Sequence, residues 1–284
     1  MNFVAMNQSN HYQTIVISDL HLGTNGSKAK EVVHFLKYNR CNKLILNGDI
    51  IDGWQLKKYG SWKKKHTAFF KTVLKMMDND DTKVVYLRGN HDDFLDQIIP
   101  LSLGKQFQIC HEYILKSGKK KFYITHGDIF DHITTNMKWL AYIGDIGYTF
   151  LLWLNKIYNK VRIARNLPYF SLSQLIKQKV KAAVNYISDY EEKLVELAKA
   201  HHCDGVICGH IHQAALREIG GMMYMNSGDW VESMTALVED HDNNWSIVYF
   251  NEYSTDSADD DIESSIVSEF FGYADQLNKI KKAG

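Results

Sequence analysis

Apolar residues arrive in short blocks along the first ninety positions, and the spacing inside each block separates strands from helices. Residues 13–18 ("QTIVIS"), 43–47 ("KLILN") and 82–87 ("TKVVYL") are continuous apolar runs rich in β-branched side chains. That is the pattern of strands buried on both faces. Between them, residues 28–39 ("KAKEVVHFLKYN") and 61–78 ("SWKKKHTAFFKTVLKMMD") place apolar side chains three and four apart, which predicts helices. Strand, helix, strand, helix, strand predicts a largely parallel α/β sheet.

Further along, "FQIC", "EYILK" and "KFYIT" read as strands, the last two separated by a "SGKKK" turn. Residues 133–201 then read as almost wholly helical. Strands return at "GVIC" (205–208), "AALREI", "MMYMN", "MTALVE" and "WSIVYF". The expected organisation is an α/β domain over 1–132 and 202–253, a helical insertion or cap over 133–201, and an acidic linker with a final amphipathic helix over 254–284. The stretch Ser227–Ser233 fits no predicted role.

Five short polar clusters each directly follow a predicted strand. They are "SDLHLG" (Asp19, His21), "NGDIID" (Asp49, Asp52), "RGNHDD" (Asn90, His91, Asp92), "THGDIFD" (His126, Asp128) and "CGHIH" (His210, His212). Any one of them is an ordinary post-strand turn, since Asp and Gly are common there. Together they point to one site, because ligands of α/β sheets bind outside the carboxyl ends of strands. Carboxylate, amide oxygen and imidazole suit Mn, Fe or Zn, and the absence of cysteine from the set argues against a structural zinc site. The donors are too many for one ion, whereas two ions sharing a carboxylate would use them all.

Composition adds little to this. Lys+Arg and Asp+Glu are equal at 33 each, which favours no highly charged partner. Four scattered cysteines make no metal-binding spacing and are expected to be reduced, largely buried thiols of a cytosolic protein. The N-terminal stretch has neither a basic start nor an apolar core, so no signal peptide is expected, and no transmembrane span stands out. Charge is uneven in the acidic linker and again over residues 133–187, which hold eight basic side chains against one acid, Asp145, interleaved with Trp139, Trp153 and several leucines. Such a segment lies on an anionic membrane surface, walls an acyl-chain pocket, or simply caps the domain.

The clusters reproduce, in order across 19–212, the pattern D-x-H, G-D, G-N-H-[DE], H, G-H-x-H, and the chain thereby resembles the calcineurin-like metallophosphoesterases. The resemblance implies a four-layer β-sandwich flanked by helices, with a dinuclear centre. It implies Asp19, His21 and His212 on one ion, Asn90, His126 and His210 on the other, and Asp49 bridging them. Asn90 then ligates through a neutral oxygen. It also implies a hydroxide bridging the two ions as nucleophile, and His91 beside them as the group that stabilises or protonates the leaving oxygen, its ring oriented by Asp92. The expected cofactors are two divalent ions, Mn²⁺ first, with Zn²⁺ and Fe open.

Within that superfamily the chain is most similar to the bacterial UDP-2,3-diacylglucosamine diphosphatases, through "DLHL", "HGD" and the helical insertion before "GH-x-H" over most of 14–250. That similarity implies hydrolysis of UDP-2,3-diacylglucosamine to lipid X and UMP in lipid A synthesis. It also implies a nucleotide-lipid substrate, and the basic composition of the insertion makes Arg162 and Arg165 expected substrate contacts. The place implied is the cytoplasm, with peripheral contact at the inner membrane surface, and no nucleic-acid partner. His91 stands where those enzymes carry arginine, which leaves open a phosphodiesterase or phosphomonoesterase acting on another small phosphate ester. A non-catalytic metal-binding scaffold is disfavoured by the intact ligand set.

Overall fold

The computed structural model describes residues 10–133, 158, 162, 165 and 187–250. Strands β1 (Asn10–Ile17), β2 (Asn39–Asn47), β3 (Lys83–Leu87), β4 (Leu101–Leu103) and β5 (Phe107–Cys110) fill the first part of the chain, with helices α1 (Ala29–Tyr38), α2 (Gly53–Tyr59) and α3 (Lys64–Asp80) among them. Strands β6 (Glu112–Ser117) and β7 (Lys120–Thr125) form a hairpin. After a further helix at 187–200 come β8 (Gly205–Cys208), β9 (Ala215–Ile219), β10 (Met222–Asn226), β11 (Thr235–Glu239) and β12 (Trp245–Tyr249).

The strands make two sheets, one of seven in the order β12-β11-β1-β2-β3-β5-β4 and one of five in the order β6-β7-β8-β10-β9. Both are mixed, which corrects the expectation of a largely parallel sheet. Strands β1, β2, β3 and β5 pair in parallel, while β11, β12 and β4 close the edges antiparallel. In the smaller sheet β7, β8 and β10 are parallel, with β6 and β9 antiparallel outside them.

Alternation along the strands builds the layers, because successive side chains point to opposite faces. Val16, Ile45, Val85 and Leu87 of the larger sheet meet Leu115, Phe122, Ile124, Ile207 and Met225 of the smaller one. Ile15, Ile17, Leu44, Leu46 and Val84 face the other way, onto Val32, Phe35 and Leu36 of α1 and Phe69, Val73 and Met76 of α3. Tyr123, Val206 and Tyr224 carry the helix at 187–200 through Tyr190, Leu194, Val195 and Ala198. The result is the expected four-layer arrangement, helix–sheet–sheet–helix. The expected cap over 133–201 and the linker and helix over 254–284 lie mostly outside the described residues. No described helix is long and apolar enough to cross a membrane. The four cysteines are free, and Cys41, Cys203 and Cys208 are buried.

Candidate metal centre

Five parallel strands, three from the larger sheet and two from the smaller, end side by side. Each hands its next residues to one place: β1 delivers Asp19 and His21, β2 Asp49, β3 Asn90, β7 His126, and β8 His210 and His212. Among the described residues three groups have ligand atoms within 4.8 Å of one another: Asp19, His21 and His212; Asp49, His126 and His210; and His21, Asp52 and His91, which shares His21 with the first. The first holds the same three residues as one ligand set implied by the sequence; the second joins His126 and His210 of the other implied set to Asp49.

The backbone is bent to do this. Asp19, His21, Asp49, His210 and His212 all have φ between 46° and 68°, in the left-handed region. Each such non-glycine residue costs on the order of 1–2 kcal/mol, with Asp and His among the more tolerant types. Hydrogen bonds between the loops hold the conformation. Asp19 N donates to Gly48 O at 3.1 Å, His21 N to Asp49 O at 2.9 Å, and His210 N to the Asp19 carboxylate at 3.1 Å.

Asp49 sits in the middle. It is 2% exposed, and its Oδ2 lies 3.4 Å from His126 Nε2 and 3.9 Å from His21 Nε2. Its Oδ1 accepts from His91 N at 2.8 Å. Gly89 makes room for it, since a Cβ there would lie 2.3 Å from Asp49 Oδ1. Gly89→Ala is expected to cost about 1–3 kcal/mol by overpacking, read by denaturant unfolding. It should also weaken metal binding, read by titration, because Asp49 must move.

The residues fit divalent cations. Asn90 Oδ1 is buried with no hydrogen-bond partner, an orphaned oxygen of the kind a cation satisfies. His126 Nδ1 lies 2.8 Å from Asn47 O, which fixes the tautomer that turns Nε2 toward Asp49. Without an ion the acids and imidazoles share protons. Burial works against the Asp19 carboxylate, but His212 and His126 beside it hold its pKa well below the usual range. Desolvation opposes the His212 imidazolium, yet Asp19 at 3.1 Å lifts that group to about 9. Ligand imidazoles must be neutral, so cation binding releases these protons.

The carboxylate at the His91 ring is not the expected one. Asp52 Oδ2 lies 3.1 Å from His91 Nδ1 and 3.3 Å from His21 Nδ1. Asp92 turns inward instead, where it accepts from Ile50 N, Ile51 N and the Tyr86 hydroxyl. Burial, followed by the charge of Asp49, pushes its carboxyl up to about 7. The two residues occupy a 3-10 turn, Asn90–Gln97, in which sequence neighbours point in different directions. Asp92 therefore braces the β2–α2 loop, and Asp52 orients the imidazole.

Asp52 has a second task. Its Oδ1 accepts from Gln55 N at 2.8 Å and caps α2, whose second residue, Trp54, lays its indole over the His91 ring at 4.3 Å. Trp54 is 48% exposed and is pinned by donation from Nε1 to Asp93 at 3.1 Å. Neither α2 nor Trp54 is among the expected elements, although Asp52 and Gly60 bracket the helix as N-cap and left-handed C-cap. Asp52→Asn keeps the cap but removes the charge facing two imidazoles, and is expected to lower kcat/KM about 10–100-fold with an unchanged melting temperature. Asp52→Ala should add a stability loss of about 0.5–2 kcal/mol from the lost cap, measured by thermal unfolding.

Arg162 and Arg165 belong to the insertion, most of which lies outside the described residues. Arg162 places its guanidinium over the Tyr158 ring at 5.6 Å, and Arg165 is exposed. The stretch Ser227–Ser233 gains a place: Ser18 and Ser227 hydroxyls lie 2.7 Å apart, Trp230 N donates to Asp19 O at 3.1 Å, and buried Asp229 accepts from Val231 N, Glu232 N and Ser233 N. It buttresses the loop that carries Asp19.

A family model described as calcineurin-like phosphoesterase matches residues 12–214. Comparison with curated proteins gives no match. Among solved structures, the chain is similar to YfcE, a phosphoesterase from E. coli, with 16% identity, 84% of this chain and 99% of that one covered, and a TM-score of 0.38. An archaeal phosphodiesterase gives 14% identity, 83% and 98% coverage, and a TM-score of 0.38. Vps29 from Entamoeba histolytica complexed with zinc gives 14% identity, 84% and 99% coverage, and a TM-score of 0.38.

Proposed function

Because the chain belongs to the calcineurin-like phosphoesterase family, whose chemistry is metal-dependent phosphoester hydrolysis, we propose that it cleaves the pyrophosphate of a nucleotide-linked lipid, UDP-2,3-diacylglucosamine, with Mn²⁺ as the preferred ion. The observation that carries the hydrolase reading is the pair of ligand groups, Asp19, His21 and His212 and Asp49, His126 and His210, with His91 beside His21 and the Asn90 oxygen buried without a partner. Support for the lipid substrate comes from the "DLHL" and "HGD" motifs and the basic, aromatic stretch at 133–187. Exposed apolar side chains beside His91, those of Trp54 and Phe94, suit a substrate with an apolar part.

Asp19, His21 and His212 would hold one ion and Asn90, His126 and His210 the other, with Asp49 shared. Bound ions lower the pKa of water and offset the charge of the phosphate. The chain's own groups do the rest. Asp52 holds His91 through Nδ1, and Nε2 is the nitrogen that gives a proton to the leaving oxygen. Trp54 covers one face of that imidazole and keeps water from it.

The test is incubation of the protein and Mn²⁺ with UDP-2,3-diacylglucosamine and, in parallel, with generic phosphodiesters, following UMP release. UMP formation is expected. Cleavage of the generic esters alone would overturn the lipid substrate and leave the hydrolase reading standing. A second reading, a phosphodiesterase or phosphomonoesterase on a smaller ester, is favoured by one residue: His91, where the lipid A enzymes carry arginine, provides a proton donor that arginine does not.

A further inference from the structure

The ligands of each ion come from both sheets, so each half of the centre depends on the distance between sheets. One ion draws Asp19 and His21 from the end of β1, in the larger sheet, and His212 from the end of β8, in the smaller. The other draws Asn90 from the end of β3, in the larger sheet, and His126 and His210 from β7 and β8, in the smaller. Hydrophobic packing between the sheets is non-directional. It cannot by itself fix ligand spacing to the few tenths of an ångström that a coordination shell demands.

Some crossing contacts involve the ligand-bearing loops themselves, as where Asn47 meets Thr125 O and the His126 ring and His210 N meets the Asp19 carboxylate. Two further polar ties cross between the sheets at this level through side chains that are not ligands. Arg88, two residues before Asn90, pairs with Asp128, two residues after His126. The same guanidinium grips Asp96 through two parallel bonds of 2.9 and 3.0 Å, which fixes it to the 3-10 turn that begins at Asn90. The Arg88 and Asp128 side chains are 21% and 11% exposed, so the pair is shielded enough to hold one geometry. On the other side, the Ser18 hydroxyl lies 2.7 Å from that of Ser227 and donates to Gly228 O at 2.9 Å. Ser227 N donates to Cys208 O at 3.0 Å, and Asn226 Nδ2 to Gly209 O at 2.8 Å, immediately before His210. These contacts join the end of β1 to the end of β8.

We propose that each ion has its own tie: Arg88–Asp128 is the positioning device for the Asn90–His126–His210 half, and Ser18–Ser227 for the Asp19–His21–His212 half. This deepens the dinuclear reading and rests on it. Arg88 is a positioning residue, since its guanidinium is occupied by two carboxylates rather than aimed at the centre. A merely structural ion pair would lower stability and weaken both ions alike. A positioning tie weakens one ion and leaves the other.

The test is Mn²⁺ binding by the purified full chain, read by calorimetry and metal analysis without any substrate. The wild type is expected to bind two ions. Arg88→Met and Asp128→Asn should each weaken one binding step about 10–100-fold, the usual effect of an outer-shell partner, and leave the other step unchanged. The retained step shows that the variant is folded. Arg88→Lys should recover part of the loss.

Ligand variants identify which ion is affected. In a His126→Ala background, Arg88→Met should change nothing further, because that half is already lost. In a His212→Ala background it should weaken the one remaining ion by the same factor. Ser227→Ala should give the mirror result. Two wild-type binding steps in Arg88→Met, or an equal loss at both steps, would overturn the proposal. Fewer than two ions in the wild type would overturn the dinuclear reading, and the proposal with it.

Discussion

Replacing Asp49 with alanine is expected to remove both ions and all hydrolysis in one step. The carboxylate lies between the two ligand groups, 3.4 Å from His126 Nε2 and 3.9 Å from His21 Nε2. It also accepts from His91 N, so the loop that carries Asn90 and His91 loses its anchor with it. The activity loss should exceed the ~10²–10⁴-fold worth of a single acid–base group. Metal analysis of the purified variant checks the first half of the expectation and hydrolysis the second. Asp49→Asn separates charge from shape: it tolerates the left-handed backbone, φ 52°, and should still fail to hold two ions. A variant that lost activity but kept both ions would show that Asp49 does not bridge them.

His91→Ala should do the opposite. The imidazole stands beside the ligand groups, edge-on to His21 at 4.7 Å between centroids, with Asp52 behind it and Trp54 over its face. Its removal is expected to leave metal content unchanged and to slow hydrolysis about 10²–10⁴-fold, the usual effect of losing a general acid. The loss should be greatest for substrates with poor leaving groups and small for nitrophenolate, which needs no proton. A centre emptied of metal in His91→Ala would move this residue from acid to ligand.

Much of the centre was legible because it is local. Each ligand follows a strand by one to four residues, and a continuous apolar run marks where a strand ends. Distance along the chain hid the rest. Nothing in "TALVE" announces that β11 pairs with β1, since that register is set by packing across more than two hundred residues. The antiparallel edges went unseen for the same reason. The exchange of Asp52 for Asp92 has a different cause. Adjacency in sequence suggested that Asp92 touches His91, but in a 3-10 turn neighbours diverge. Asp52, thirty-nine positions away, arrives through the α2 cap. Helix α2 buries none of its seven residues, so no apolar period marked it.

The position of β11 has a consequence for synthesis. Strand β1 leaves the ribosome more than two hundred residues before β11, and one of its two edges stays bare until Thr235–Glu239 arrives to pair with it. At about 5–20 residues per second, the nascent chain carries an open apolar edge for on the order of ten seconds or more. The same delay separates Asp19 from His210 and His212. The nascent protein therefore cannot draw its metal in early and use it as a folding nucleus; the ions must enter after β8 and the loop beyond it have been made.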